Sequence, residues 1–143
     1  MSKEIRKLSP KERVIEEKLS RVDSLSLVLN GRLVSPCSYS CLHVSHCRLL
    51  VSQAGRALHL VTQNQFLDSP EWFGVTTDEY FQVTVTALEE CSILVWHRDR
   101  IKLEIMEDAH LHAVLDHVVG RDVVRKLMQV RGRWNSHLYL LLI

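Results

Sequence analysis

Alternating apolar and polar residues predict that the middle of the chain consists of short β-strands. Residues 81–87 alternate with a strict period of two and are rich in Thr and Val, which favour strands. Residues 25–29 alternate in the same way and end at Asn30-Gly31, a dipeptide typical of hairpin turns. Further strand-like runs cover residues 49–53, 57–61 and 91–96.

Beyond these strands the apolar pattern takes a helical period. Apolar residues recur every three or four positions in residues 98–106 and again in residues 108–130, which predicts two C-terminal helices. Gly120 lies inside the second of these segments, and we expect it to weaken or bend the helix at that point.

The charged N-terminal segment, residues 1–23, carries the sequence signals of a helix start. Ser9 suits the N-cap, Pro10 the first helical position and Glu12 the capping-box position. Short strands between an N-terminal helix and C-terminal helices predict an α+β fold, a compact β-roll of the jelly-roll kind.

Composition and charge exclude several classes of function. The 143 residues suffice for one domain with a real core, and 18 basic against 17 acidic residues leave a net charge of +1. A nucleic-acid binder would need a concentrated basic face. No apolar run reaches the ~20 residues that span a bilayer, and the N-terminus is too charged for a signal peptide. We therefore expect an intracellular, soluble chain with four reduced cysteines.

The segment Phe66-Leu67-Asp68-Ser69-Pro70-Glu71-Trp72 places two carboxylates beside a rigid turn. Pro70 fixes its own backbone and favours extended geometry in the residue before it. This arrangement suits a polar ligand at a strand-to-turn junction. Two alternatives stay open: a solvated turn in which Asp68 caps its own backbone, and a general acid/base pair. The pair is too local to flank a scissile bond.

A second motif, Phe81-Gln82-Val83-Thr84, follows within the predicted strand 81–87. Taken alone it is an ordinary half-buried strand with Gln82 and Thr84 on one face. Together, FLDSPEW at 66–72 and FQVT at 81–84 resemble the Popeye domain family in motif, order and spacing. The resemblance covers about residues 24–130, which we take as the domain. Popeye domains are similar to cyclic-nucleotide-binding domains, so the resemblance implies a β-roll of that kind.

The resemblance also implies a cyclic AMP site without a cofactor or metal. Asp68 would accept a hydrogen bond from the ribose, Gln82 and Thr84 could hydrogen-bond the nucleotide, and Val83 could pack on the purine. The full set of implied ligand-binding residues is Asp68, Ser69, Glu71, Phe81, Gln82, Val83 and Thr84. A typical cyclic-nucleotide cassette also contains Gly-Glu and a phosphate-binding arginine. The nearest basic residues, Arg56 and Arg98, lie in no such motif, so the phosphate-binding group stays unidentified.

The resemblance implies a regulatory protein that catalyses nothing. Family members act on membrane excitability in heart and skeletal muscle, and they engage caveolin and a two-pore potassium channel. Their domain lies on the cytoplasmic face of the plasma membrane or sarcolemma, below three transmembrane helices. The chain contains no such anchor, so we interpret it as a fragment or a truncated product.

The C-terminal helix offers an apolar stripe with two interpretations. It could seat the helix on the roll, or it could form the homo- or hetero-oligomer seam that the family uses. The residues are Val114, Leu115, Val118, Leu127 and Met128. The alternative function is a non-catalytic interaction β-roll that acts through this helix without nucleotide. An enzyme that uses Asp68 and Glu71 is a weaker third hypothesis.

Two segments depart from the family pattern. Residues 33–48 interrupt what would otherwise be a continuous strand pair, and we interpret them as an irregular insert. Residues 131–143 form a tail without family character. The insert contains potential zinc ligands, but their spacing does not match the common zinc modules. These ligands are Cys37, Cys41, His43, His46 and Cys47.

Overall fold

The computed structural model describes residues 3–29, 47–76 and 78–142, with side chains described as far as Gln129. Within these residues the chain is an α+β fold, as the sequence predicts. The strands are β1 (Lys3–Leu8), β2 (Arg13–Ile15), β3 (Ser24–Val28), β4 (Leu49–Gln53), β5 (Arg56–Val61), β6 (Thr84–Ala87) and β7 (Cys91–His97). The helices are α1 (Ser69–Gly74), α2 (Arg98–Glu107) and α3 (Ala109–Leu142).

The strands form two antiparallel sheets that enclose the main core. Sheet A has the order β1-β7-β3, and sheet B has the order β2-β6-β4-β5. Side chains alternate between the two faces of a strand, and the inner faces of both sheets contribute to one buried apolar cluster. Its members include Leu8, Val28 and Ile93 from sheet A, and Leu49, Val51, Val61 and Val85 from sheet B.

The outer face of sheet A carries a second core. Leu25 and Trp96 are opposite each other in the β3–β7 pairing, and their side chains point away from the interior of the roll. The helices pack against this face in a separate apolar cluster. The buried members of the cluster are Leu25, Phe66, Trp72, Ile101, Ile105 and Val119. The helices therefore pack mainly on the outer face of sheet A, and α3 also contacts β5 of sheet B.

The N-terminal helix that we predicted is wrong, because this segment forms β1 and β2. The capping-box hydrogen bond exists: the backbone N–H of Ser9 donates to the Glu12 carboxylate at 2.9 Å. It closes a tight turn instead of a helix, with Lys11 in the left-handed region at φ 68°. β1 pairs with β7 at six positions. This tertiary pairing overrides a local helix signal.

The C-terminal helices confirm the change of period after β7. Asp108 separates them and caps α3, since its carboxylate accepts the backbone N–H groups of His110 and Leu111 at 3.0 Å each. α3 continues through Gly120, where the expected weakening or bend stays a prediction, and its backbone extends through tail residues 131–142. Among the described residues, no helix has the length and apolar character needed to cross a membrane.

Two cysteines join the sheets, against our expectation of reduced thiols. Cys47 and Cys91 form a disulfide with their Cα atoms 5.2 Å apart. The geometry follows from strand pairing: Leu49 is opposite Ala87, and the N–H of Leu88 donates to the carbonyl of Arg48 at 2.9 Å. The last two residues that we assigned to the insert therefore belong to the roll. The other proposed zinc ligands, Cys37, Cys41, His43 and His46, lie outside the described residues.

We expect the disulfide to stabilise the roll substantially. It links residues 44 positions apart, and closing a loop of that length in the unfolded chain corresponds to about 4 kcal/mol in the chain-entropy model. Cys91→Ser should therefore lower the free energy of unfolding by roughly 2–4 kcal/mol, measured by urea denaturation. Adding a reductant should destabilise the wild type to a similar degree and leave Cys91→Ser unchanged. The expectation would be contradicted if the wild type and Cys91→Ser were equally stable, both with and without the reductant.

Candidate functional site

The first motif lies at the free edge of sheet A, beside β3. Phe66 forms a bridge with Leu27, and the N–H of Leu67 donates to the carbonyl of Ser26 at 2.9 Å. Pro70 then turns the chain into the short helix α1. Sequence and structure agree that the motif is a strand-to-turn junction. The junction adds its residues to the edge of the roll, where they contact the helices.

Asp68 is buried, which makes the solvated-turn alternative wrong. Only 1% of the residue is exposed. Its side chain makes no cap to α1; instead, Oδ1 accepts the backbone N–H of Ser26 at 2.8 Å. The second oxygen, Oδ2, has no hydrogen-bond partner among the described residues, and the same holds for Oε2 of Glu71. Two buried carboxyl oxygens thus lie on one turn without a protein partner.

Burial dominates the electrostatics of these two acids. Loss of solvent raises the pKa of Asp68 to about 7, the nearby charge of Glu71 raises it further, and the Ser26 N–H and Lys126 oppose the shift. Loss of solvent likewise raises the pKa of Glu71, against the lowering effect of the Lys126 and Arg98 charges. Near neutral pH, Asp68 therefore exchanges between an acceptor-only carboxylate and a carboxylic acid that also donates.

Ser69 belongs to a buried polar network that connects the motif to α3. Its hydroxyl donates to Asp122 Oδ2 at 2.5 Å and accepts from Lys126 Nζ at 2.8 Å. Lys126 forms an ion pair with Asp122 at 2.9 Å and also donates to the carbonyl of Phe66. The backbone N–H of Phe66 in turn donates to Asp122 Oδ1 at 3.2 Å. The Ser69 hydroxyl is therefore engaged in positioning a helix.

Sequence reasoning missed Asp122 and Lys126. They are one helical turn apart on α3, and their exposed fractions are 7% and 6%. Their spacing, with the acid N-terminal to the base, is the usual signal of a surface ion pair. What distinguishes this pair is its partners, 53 to 60 positions away in sequence. The i,i+4 pattern alone could not have indicated burial.

Arg98, one of the two basic candidates for phosphate binding, is committed elsewhere. It is 1% exposed, and its guanidinium donates to the carbonyls of Val22, Trp72 and Val75. Two of these carbonyls lie at the C-terminal end of α1, so Arg98 stabilises the end of this helix. Arg56, the other candidate, is exposed at the turn between β4 and β5. Arg98 therefore has both terminal nitrogens engaged, and Arg56 lies at a turn outside both motifs.

The second motif belongs mainly to sheet B. Phe81 is buried in the inner core and Val83 packs against the same cluster. Gln82 is exposed, and its side-chain amide donates to the carbonyl of Tyr80 at 3.3 Å. Thr84 begins β6, and its hydroxyl accepts the backbone N–H of Glu17 at 3.2 Å. The strand is shorter than the predicted 81–87, because the first three residues precede the ladder.

A cleft of about 480 Å³ lies between the two sheets at the β1–β2 end of the roll. Its apolar floor includes Ile15, Phe81 and Ile93, and its polar wall includes Ser26. Phe81 is the point at which the second motif reaches the cleft. Asp68 is hydrogen-bonded to the backbone of Ser26, so the first motif lies behind the same wall. The charged residues that line the cleft are Lys3, Glu4, Arg6, Arg21, Asp23 and His97.

The predicted stripe on α3 divides into two groups. Leu115 is half-buried and packs against the helix cluster, which is the core interpretation. Val114, Val118, Leu127 and Met128 are exposed, with Leu127 reaching 64%. These four residues do not pack on the roll, so the seam interpretation applies to them and stays a prediction.

The fold is that of cyclic-nucleotide-binding domains. The c-di-GMP-responsive regulator CLP of Xanthomonas campestris superposes with a TM-score of 0.73 at 12% identity, covering 97% of this chain and 60% of that one. A putative cyclic nucleotide-binding protein of Geobacter metallireducens gives 0.64 at 14% identity, covering 87% of this chain and 79% of that one. At such identities the likeness shows the fold alone.

Sequence comparison gives the family. Popeye domain-containing 2 of Danio rerio is 30% identical over 128 residues, or 88% of this chain, and Popeye domain-containing protein 2 of Homo sapiens is 31% identical over 114 residues, or 78%. The chain belongs to the Popeye domain-containing proteins. It spans about 30% and 27% of the length of these two relatives. No family model matches the chain.

The buried ion pair gives a first test of the site. Lys126→Met should lower the free energy of unfolding by about 3 kcal/mol or more, because the Asp122 carboxylate then stays buried without its cation. The exposed pair His112–Asp116, also one turn apart on α3, is the matched control. Asp116→Ala should cost less than about 1 kcal/mol. Equal effects of both variants in chemical denaturation would show that the pair in the site is no more buried than the control.

The pH dependence of stability tests the burial of Asp68. Because its pKa is raised from 3.8 to about 7 on folding, the folded chain binds the proton more tightly than the unfolded chain. Stability from this group is therefore greatest below about pH 4 and is lost as the pH rises through about 7. Asp68→Asn should flatten this part of the curve, whereas Asp78→Asn, at an exposed position, should leave it unchanged. The burial of Asp68 would be contradicted if the stability of the wild type rose with pH over this range and both variants gave the same curve.

Proposed function

We propose that the chain is a regulatory domain that binds cyclic AMP and catalyses no reaction. The observation that carries the proposal is the pair of buried carboxyl oxygens, Asp68 Oδ2 and Glu71 Oε2, that have no partner among the described residues. They lie at the motif of a Popeye-family chain with a cyclic-nucleotide-binding fold. A buried polar atom without a partner costs free energy and is retained mainly where function requires it.

Ribose is the part of the ligand that these oxygens suit best. A hydroxyl can both donate and accept, and Asp68 can do the same because its pKa lies near neutrality. The cyclic phosphate is an anion, which an ionised carboxylate would repel. The 2′-hydroxyl would therefore donate to Asp68, with the phosphate placed farther from the acids.

The same motif gives the ligand a way to act on the rest of the molecule. Asp68 is adjacent in sequence to Ser69, whose hydroxyl joins Asp122 and Lys126 of α3. A ligand that orders or shifts residues 68–71 would change the hydrogen bonds that fix α3. Binding at the motif and the position of α3 are then coupled, which is what a regulatory domain needs.

A catalytic role has less support from the geometry. Asp68 and Glu71 are on the same turn, three residues apart, whereas carboxyl groups that cleave a bond must lie on opposite sides of it. Asp68 is also closed off from solvent on one side by its hydrogen bond to Ser26. The structure supports binding at these acids better than acid/base chemistry.

The finer expectations from the family are part of the same proposal. We propose cyclic AMP as the ligand, without a cofactor, and action on membrane excitability in striated muscle at the cytoplasmic face of the plasma membrane. Caveolin, a two-pore potassium channel and other Popeye chains are the proposed partners. Family membership supports these expectations.

A second candidate function is protein interaction through α3 without nucleotide. The observation that favours it is the exposed apolar group Val114, Val118, Leu127 and Met128. Apolar side chains that are left uncovered on one helix face are a common association surface.

Titration calorimetry with cyclic AMP separates the two candidates. We expect the full chain to bind cyclic AMP, and Asp68→Asn to weaken binding by about 1.5–3 kcal/mol, because the amide keeps the Ser26 contact but loses the charged acceptor at Oδ2. Asp78→Asn is the matched control and should bind as the wild type does.

The outcome that contradicts the proposal is equally definite. A folded wild-type chain that binds neither cyclic AMP nor cyclic GMP at millimolar concentration would favour the interaction function. Binding that is unaffected by Asp68→Asn would remove this residue from the site while leaving the ligand in place.

A further inference from the structure

We propose that Arg21 binds the phosphate of the ligand, supplying the cation that the two motifs lack. The inference rests on the proposed function and extends it to the part of the site that no motif identifies. Arg21 lies between β2 and β3, in a segment to which the sequence patterns assign no chemistry.

A cyclic phosphate needs a cation or several N–H donors, since it keeps one negative charge at neutral pH. Two basic side chains that contact the first motif already have partners. Arg98 is bound to three carbonyls and Lys126 to Asp122. Arg48 is paired with Glu89 and Arg6 with Glu12. Lys102 lies above the Trp72 ring and lines a different cavity from Arg21.

Arg21 lies directly beside the second motif. It forms a bridge with Tyr80, and the N–H of Phe81 donates to the carbonyl of Ser20 at 2.9 Å. Its guanidinium carbon is 5.7 Å from the centre of the Tyr80 ring. Among the described residues it has no carboxylate within ion-pair distance. The residue thus provides an uncommitted cation at the point where residues 81–84 begin.

The side chain also borders the cleft that the second motif reaches through Phe81. Arg21, Phe81 and Ser26 line the same space of about 480 Å³, and Ser26 holds Asp68 through its backbone. A ligand with its phosphate at Arg21 would lie in this cleft, and its ribose would reach Asp68 around the edge of β3 at Ser26. Asp23 lines the cleft as well, and a carboxylate beside the phosphate site would favour a hydroxyl of the same ligand.

The other cations of the cleft are less well placed. Lys3 and Arg6 are on β1, and the order β1-β7-β3 puts β1 two strands from the edge that holds the first motif. Adjacent strands are about 4.8 Å apart, so β1 is roughly 10 Å from β3. Arg21 belongs to the loop that enters β3, on the same side as the motif.

The contact with Tyr80 leaves Arg21 suited to phosphate. An arginine that lies over an aromatic ring presents its N–H donors at the edge of the guanidinium plane. Two phosphate oxygens can accept from this edge in a bidentate arrangement. The ring restricts the side chain beforehand, which reduces the entropy lost on binding.

The test compares a charged and an uncharged ligand on the full chain. Calorimetry with cyclic AMP should show a loss of about ten- to hundred-fold in affinity for Arg21→Ala, while binding of adenosine, which has no phosphate, should stay within about twofold. Arg21→Lys should retain part of the cyclic AMP affinity. Arg56→Ala, at the exposed β4–β5 turn, is the control and should match the wild type with both ligands.

Salt dependence gives a second measure that a purely structural role would not change. Raising NaCl from about 50 to 300 mM should weaken cyclic AMP binding to the wild type, because salt screens an exposed ion pair. The loss of cyclic AMP affinity on adding salt should be smaller for Arg21→Ala than for the wild type. Melting temperatures of all variants establish that they fold.

Each remaining outcome decides one of the two proposals. A folded wild type that binds no cyclic nucleotide overturns the proposed function and this inference with it. A wild type that binds, together with an unchanged Arg21→Ala variant, overturns the inference alone. Equal loss of cyclic AMP and adenosine in Arg21→Ala would also overturn it, since the residue would then support the fold of the site and not the phosphate.

Discussion

The buried ion pair between Asp122 and Lys126 is the interaction on which the rest of the site depends. Its two side chains carry all the hydrogen bonds between α3 and residues 66–69 that the described part of the chain shows. Burying two charges is costly, and here every strong donor and acceptor of the pair is used by Phe66 or Ser69. The helix is therefore fixed to the motif by a network that fails as a unit if one partner is lost. Apolar packing around Val119 seats the helix, but only the polar network specifies which turn of α3 contacts the motif.

Asp68 and Glu71 acquire their unusual chemistry from this arrangement. Docking α3 closes the edge of sheet A, excludes solvent from the turn and so raises the pKa values of both acids. The Lys126 charge moderates this effect on both acids. Protonation of the two acids and the position of α3 are thereby linked through one small region. Each of these two equilibria must alter the other by the same coupling free energy.

Sequence patterns predicted the strands and helices where burial follows a regular period. Residues 25–29, 49–53, 57–61 and 91–96 became β3, β4, β5 and β7 within one residue at every end. In β3, β4 and β7 burial alternates or nearly alternates along the strand, which gives the sequence its regular period. β1 was missed because its outer residues are charged and Ile5 is exposed, so alternation carries no apolar signal. The motifs were predicted by resemblance, but the burial of Asp68 depends on Ser26, 42 positions away. Contacts at such separations have no local sequence signal, which is why Asp122, Lys126 and Arg21 were not predicted.

Strand β3 explains how residues so far apart in sequence form one site. The N–H of Ser26 faces the sheet edge and holds Asp68, while Ser26 also lines the cleft that Arg21 borders. The carboxyl group of Asp68 and the guanidinium of Arg21 are thus both close to β3, the first through the N–H of Ser26 and the second at the cleft that Ser26 lines. This separation has a physical advantage: if Arg21 were next to Asp68 and Glu71, it would pair with them, lower their pKa values and lose its availability to a phosphate. Among the described residues Arg21 makes no ion pair with either acid, so its charge stays available to an anion in the cleft.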